Sequence, residues 1–474
     1  MSNYQILTLD GGSANPDAAS IDSLKSTLQG TLAGPGDSGY EEARTLWNAM
    51  IDRRPALIAR CTSAADVQAA VRFAGQHKLL TAVRSGGHNI AGNAVCEGGF
   101  MIDLSQMKEV RIDESAKRAH VSPGATLGDF DAEAQKFAVA APLGINSTTG
   151  VAGLTLGGGF GWLSRKHGFT VDALRAADVV TADGELVTAS ESDHAELFWA
   201  IRGGGGNFGV VTRFEFEVYD VGPEVFAGLI VFPASEARSV LQQYREYAKS
   251  MSDDSCIWVV LRKAPPLPFL PEAVHGTDVV VLACFHNGTA EEGEKLVAPL
   301  RGFGQAHAEH FGMNPFAGWQ QAFDPLLTPG ARNYWKSHNF TELSDGALDV
   351  ALEYAGKLPS GQCEIFIAQL GGEVARRPVE STAYAHRDAS YVLNVHGRWD
   401  DAADDDSCIQ WSRDFFDAAT PHASGGVYVN FMTEEETDRI GAAYGPGYDR
   451  LVAAKKQYDP DNFFRLNQNI KPTG

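Results

Sequence analysis

Three observations predict an α+β fold for this chain. First, strand-like and helix-like runs alternate through residues 40–222, with glycines where the backbone must come close to a ligand. Second, three glycine-rich blocks lie in that part, each beside an apolar β-type run: Arg84-Ser85-Gly86-Gly87-His88, Gly150 to Leu163, and Arg202 to Val211. Third, the composition changes near residue 222. Beyond it, strand-like runs (226–232, 256–262, 278–285, 363–370, 391–396) interleave with helical stretches (234–250, 289–300, 345–356, 405–418), which predicts an antiparallel sheet backed by helices. The end of the chain returns to the motifs of the first part. The expected organisation is therefore a ligand domain in two pieces, 40–222 and 429–474, with a substrate cap, 223–428, between them. At 474 residues the chain exceeds what one ordinary core serves, and its 44% hydrophobic content fills two.

Taken in order, residues 1–20 are polar and carry Gly, Asn and Pro, so they read as irregular. Ile21, Leu24, Leu28 and Leu32 fall on one helical face and predict a helix over 21–33. Residues 54–60 form a short strand, and Ser63 caps a helix running to His77. A strand at 79–84 delivers the chain into the first glycine block, and strands follow at 101–105 and 119–122. Pro123-Gly124 turns the chain before a helix from Thr126 to Lys136. Residues 172–181 begin a hairpin whose turn is Asp183-Gly184, a helix spans 191–202, and Val210 to Val218 alternates as a half-buried strand. The same alternation in Gly425 to Phe431 predicts a strand with Tyr428 and Asn430 on one face.

The glycine blocks carry the chemistry. Gly86 and Gly87 permit positive φ and let successive N–H groups approach an anion, and Arg84 adds a fixed positive charge, a combination suited to a diphosphate. No block has the Gly-x-Gly-x-x-Gly turn of a Rossmann site, nor a Walker lysine. A His-Glu-x-x-His pair and a Gly-x-Ser-x-Gly elbow are also absent, and the acidic runs 404–406 and 434–436 read as solvated helix starts rather than metal sites. The net charge of −21 excludes nucleic acid and anionic membrane as partners. Six scattered cysteines read as buried thiols, and the lack of a long apolar run or signal pattern leads to a cytoplasmic location as the default.

Arg84 to His88, the 150–161 block, Trp199 to Gly209 and the ending Tyr458 to Ile470 together resemble the berberine-bridge-enzyme-like FAD-linked oxidases of the vanillyl-alcohol-oxidase superfamily. The resemblance implies a PCMH-type FAD-binding domain and FAD attached through its C8 methyl carbon to His88. Some relatives carry a second link through a cysteine; Asn146 occupies that position here, so a single histidyl link is expected. Arg84, Ser85, Gly86, Gly87 and Asn89 are expected to hold the diphosphate. Thr148, Thr149, Gly150, Gly153 and Leu154 would run along the ribityl chain and ring edge, with Gly209 and Val211 near the adenine and Asn467, Gln468 and Asn469 close to the flavin. On the substrate side Tyr428 is the expected base, its pKa lowered by a nearby cation for which Lys336 is the candidate, with Asn430 beside it. Gln369 is a weaker candidate, because strand parity can aim Ala368 inward instead. The expected activity is oxidation of a small alcohol, hemiacetal or amine, with O2 as acceptor and hydrogen peroxide as product. The alternatives are a dehydrogenase, an oxygenating or cyclising enzyme on the same scaffold, and a flavin-binding protein without turnover. The substrate and the oligomeric state are left open.

Overall fold

The computed structural model describes residues 4–473. Residues 31–217 build two sheets. A four-stranded sheet has the order Thr31–Ala33, Leu57–Arg60, Phe100–Asp103, Thr81–Arg84, its last three strands parallel. The helix Ala64–Gln76 covers it, started by Ser63, whose hydroxyl accepts from the Asp66 backbone N–H. Such a cap stabilises a helix by about 1 kcal/mol. The second sheet is antiparallel, in the order Leu186–Ser190, Leu174–Val180, Val210–Glu217, Arg118–Val121, Val110–Asp113, and its first two strands form the expected hairpin.

A seven-stranded antiparallel sheet follows, in the order Ala308–Pro315, Glu224–Pro233, Asp278–His286, Ser255–Lys263, Glu364–Gln369, Tyr391–Trp399, Arg332–Phe340. One face packs on the helices Ala237–Ala248, Ala290–Val297, Asp345–Ala355 and Asp405–Ala419 through a core that includes Ile257, Leu282, Ile365 and Leu393. The other face turns an aromatic layer toward the glycine loops. The two strands of this sheet that were missed in the sequence, Ala308–Pro315 and Arg332–Phe340, are its two edges. The first is largely solvent-exposed and contains Gly312, Asn314 and Pro315, composition that an edge tolerates and an interior strand does not.

Other expectations shift at their boundaries. The helix expected at 21–33 runs instead over Ala18–Thr27, capped by Asp17. It stops because the N–H groups of Gln29 and Gly30 turn to the buried Asp66 carboxylate, at 2.7 and 3.1 Å. Residues 6–7 and 13–14, expected to be irregular, pair as a small hairpin. No helix among the described residues is long and apolar enough to cross a membrane.

The final segment packs back among the glycine loops. Lys455, on the helix Tyr448–Tyr458, is fully buried and donates to Asn207 O at 2.8 Å, Phe464 O at 2.9 Å and Asp459 Oδ2 at 2.6 Å. Asp172 and Arg387 form a second buried pair through two hydrogen bonds, of 2.7 and 2.9 Å, tying residues near the second glycine block to the segment that leads into the strand Tyr391–Trp399.

Asp131, on the helix Leu127–Ala134, is buried, and Gln320 Nε2, on the helix Phe316–Gln320, donates to its carboxylate at 3.3 Å. Burial pushes its carboxyl up to about 7, against the opposing Gln320 bond. The folded-state pKa lies above the unfolded value of about 3.9, so this contribution is fully present below pH ~4 and lost as pH rises to ~7. Asp131→Asn should therefore raise the melting temperature at pH 8 and do much less at pH 4. Equal shifts at both pH values in thermal melts would rule out this titration.

Candidate active site

The three glycine loops, the C-terminal tail and the aromatic face of the seven-stranded sheet enclose a cavity of about 360 Å³. Its loop side is lined by Ser85, Gly86, Gly87, His88, Asn89, Thr149, Gly150, Gly153, Leu154, Gly209 and Val211, and its tail side by Asn467 and Gln468. The sequence-selected residues thus converge, with three exceptions. Arg84 turns its guanidinium away from the cavity toward the carbonyls of Glu42 and Ala43, behind Gly87, where burial lowers its pKa. It braces the loop instead of meeting a diphosphate. Thr148 is exposed beside the cavity and reaches His88, while Asn469 is half-buried outside the lining.

Gly86 and Gly87 are glycines for different reasons. Gly87 has φ +73°, open to glycine without strain. At Gly86 a Cβ would lie 2.4 Å from Gly150 N and 2.6 Å from Gly150 Cα. The first two glycine loops therefore touch backbone to backbone, and Ser85 Oγ fastens the first by donating to Pro123 O at 2.5 Å.

His88 opens on the cavity with its ring stacked on Trp47, centroids 4.9 Å apart at 22°. Burial pushes its pKa down to about 3, so the imidazole is neutral over the whole physiological range. Trp47 was not selected from the sequence; it stands in an irregular stretch with no pattern that links it to a histidine far along the chain.

Tyr428 and Asn430 also line the cavity but not from a strand: Val429–Phe431 is a 3-10 turn, closed by Phe431 N–H donating to Tyr428 O at 2.9 Å. The Tyr428 ring is wedged edge-on against Phe160 and Phe431, at 5.0 and 4.8 Å. The turn still joins the pair, Asn430 Nδ2 donating to Tyr428 Oη at 3.0 Å and to Leu154 O at 3.1 Å. The expected cation is not there. Lys336 is held instead by Glu435 and Glu436, at 3.3 and 3.4 Å, so Glu436 is a buried ion-pair partner rather than a solvated helix start. Burial pushes the Tyr428 hydroxyl up to about 12, outweighing the donors Asn430 and Gly159 N–H. At neutral pH Tyr428 is therefore a proton donor. Gln369 faces the helices, accepting from Ile257 N–H at 3.1 Å and donating to Ala248 O, and strand parity puts Ala368 on the cavity side.

Three comparisons with known proteins agree with this geometry. Residues 55–190 match the family model described as FAD binding domain, and residues 427–471 that described as berberine and berberine like. An FAD-linked oxidoreductase of Dictyostelium discoideum is 33% identical over 453 residues, which cover 94% of this chain and 95% of that protein. The chain belongs to the berberine-like FAD-linked oxidoreductases. Among other relatives, (R)-6-hydroxynicotine oxidase of Paenarthrobacter nicotinovorans is 32% identical over 94% of this chain and 98% of its own length. The crystal structure of 6-hydroxy-D-nicotine oxidase from Arthrobacter nicotinovorans superposes with a TM-score of 0.84 at 31% identity, covering 94% of this chain and 98% of that one.

The residues present suit the FAD this family uses. A Cβ at Gly153 or Gly206 would meet nothing within 4 Å, so both leave open space along the cavity. Asn467 Oδ1, at the tail side, is buried without a hydrogen-bond partner and is available to a ring N–H. In this FAD-linked oxidoreductase the opposite wall comes from the seven-stranded sheet: Trp258, Trp335, Phe366 and Asn394, with Glu364 and His396 paired across neighbouring strands. Asn333 Nδ2 donates to Ala331 O, which leaves Oδ1 facing His396 Nε2 at 3.2 Å. Nε2 therefore carries a hydrogen, and Nδ1 approaches Glu364 Oε1 at 3.2 Å, while burial lowers the His396 pKa against the opposing pull of Glu364. Burial raises the Glu364 pKa, but Arg262, at 2.7 Å, and His396 together pull it below its ordinary value. Sequence reading located both strands and missed this pair. The available signal was a glutamate at the head of a largely apolar strand.

Proposed function

We propose that this FAD-linked oxidoreductase is an oxidase of a small ring-bearing alcohol, hemiacetal or amine, with FAD joined singly through His88 and dioxygen as acceptor. The division at 40–222, 223–428 and 429–474 then assigns cofactor binding to the outer segments and substrate choice to the middle one. The observation that carries the reading is the two-sided cavity, with glycine loops and His88 on one side and an aromatic, proton-holding wall on the other. Bound there, FAD supplies a two-electron acceptor for hydride from a carbon bearing O–H or N–H. Tyr428, its oxygen already accepting from Gly159 and Asn430, directs its own proton outward to orient the substrate heteroatom. The Glu364–His396 pair exchanges the substrate's O–H or N–H proton. Trp258, Trp335 and Phe366 exclude water and offer flat faces to a ring.

Anaerobic titration with cyclic amines, aromatic alcohols and sugars, followed by air, tests this reading. Bleaching by one class with rapid recovery and peroxide release is expected; bleaching without recovery would make the protein a dehydrogenase. His88→Ala should give protein whose flavin stays in solution after acid precipitation, and retention of colour in the pellet would reject the His88 link. Tyr428→Phe, which removes the orienting proton, should lower kcat/KM by about 10²-fold, within the range for one positioned proton donor.

A further inference from the structure

The position that bars a second flavin link is occupied by a side chain with polar partners of its own. Asn146 Oδ1 lies 3.1 Å from the Thr148 backbone nitrogen and 2.8 Å from Thr148 Oγ1. Because a backbone N–H only donates, the Asn146 atom facing it is the oxygen. Two oxygens at 2.8 Å need a hydrogen between them, and an amide oxygen has none to give, so Thr148 donates its one hydroxyl proton to Asn146. Thr148 Oγ1 is also 2.9 Å from His88 Nε2, and with its proton already committed it can only accept there. His88 Nε2 therefore carries the hydrogen. The imidazole is neutral and has one N–H, which leaves the lone pair on Nδ1, while Trp47 fixes the plane of the ring.

We propose that Asn146 and Thr148 are positioning residues for flavin attachment: they fix His88 in the Nε2–H tautomer and so make Nδ1 the nucleophile. The inference rests on the His88 link proposed above. A bond forms between Nδ1 and the C8 methyl carbon, and one methyl C–H bond breaks with loss of its proton. The Nε2 proton passes to the hydroxyl of Thr148, an exposed residue, which gives up its own proton to solvent. The two electrons released stay with the flavin until dioxygen takes them, with two protons, as hydrogen peroxide. Asn146 thus supports the single link at the same position where it precludes a thioether.

The test uses wild type, Thr148→Val, Thr148→Ser and Asn146→Leu, purified with their flavin. Total FAD per protein, the fraction retained after acid precipitation, and the linked nitrogen in the isolated flavinyl peptide are measured for each. Wild type should be linked through Nδ1 alone. Thr148→Val and Asn146→Leu should bind FAD to the same total, with the retained fraction lower by about tenfold or with attachment no longer confined to Nδ1. Thr148→Ser, which keeps the hydroxyl, should behave as wild type. Full attachment through Nδ1 in Thr148→Val would overturn the relay while leaving the His88 link standing. Complete release of flavin by wild type would overturn the link and the relay with it.

Discussion

Gly86→Ala should yield folded protein that has lost most of its flavin. The added methyl carbon would sit 2.4 Å from Gly150 N and 2.6 Å from Gly150 Cα, distances at which something must move, and both obstacles are backbone. No side chain can swing aside, so the first two glycine loops must part by about an ångström, at a strain cost of about 1–3 kcal/mol. That cost falls on the loops that bound one side of the cavity, and an anion held by backbone N–H groups is lost when those groups diverge. Flavin absorbance per protein should drop by about tenfold, if the strain is expressed in binding rather than stability, with an unchanged far-ultraviolet dichroism spectrum. Gly312→Ala is the control: its Cβ would meet nothing within 4 Å on an edge strand, and its flavin content should stay at the wild-type level. Full flavin in Gly86→Ala would show that the loops are not held together by this approach.

The same glycine shows what a sequence can and cannot disclose. That Gly86 and Gly87 form a ligand loop is legible because a strand of small and β-branched residues delivers them and a histidine follows. That Gly86 is required by contact with Gly150 is not, since the reason lies in a partner distant along the chain. Arg84 failed as an anion-binding charge on similar grounds: the helix carbonyls of Glu42 and Ala43 that take its donors are remote in sequence. Alternation read correctly for Val210–Glu217 misled at Tyr428, where packing against Phe160 and Phe431 folds the chain into a turn that still joins Tyr428 to Asn430. The Glu364–His396 pair was invisible for the opposite reason. Each residue lies in a strand recognised for its apolar neighbours, and only the register across the two strands makes them partners. Local pattern reveals elements; the chemistry of the cavity wall built by the seven-stranded sheet depends on pairing between them.

Lys455→Met should destabilise the protein by about 3–5 kcal/mol, the cost of stranding one member of a buried ion pair. Neither Lys455 nor Asp459 has exposed side-chain surface. Removing the ammonium leaves the Asp459 carboxylate accepting from the Phe463 and Phe464 N–H groups without a countercharge, and leaves the carbonyls of Asn207 and Phe464 without the lysine's donors. Those two carbonyls belong to the third glycine block and to the tail, so the lysine ties together two parts of the cavity that no covalent bond joins. Loss of flavin should therefore accompany loss of stability, with the denaturation midpoint of the variant responding less to added FAD. If the stranded charge is the cause, Lys455→Met combined with Asp459→Asn should recover part of the loss, because the amide keeps an acceptor for the N–H groups and carries no charge. If instead the lysine matters only through its two carbonyl partners, the double variant should be no more stable than Lys455→Met alone, and denaturant titration of the three proteins separates the two accounts.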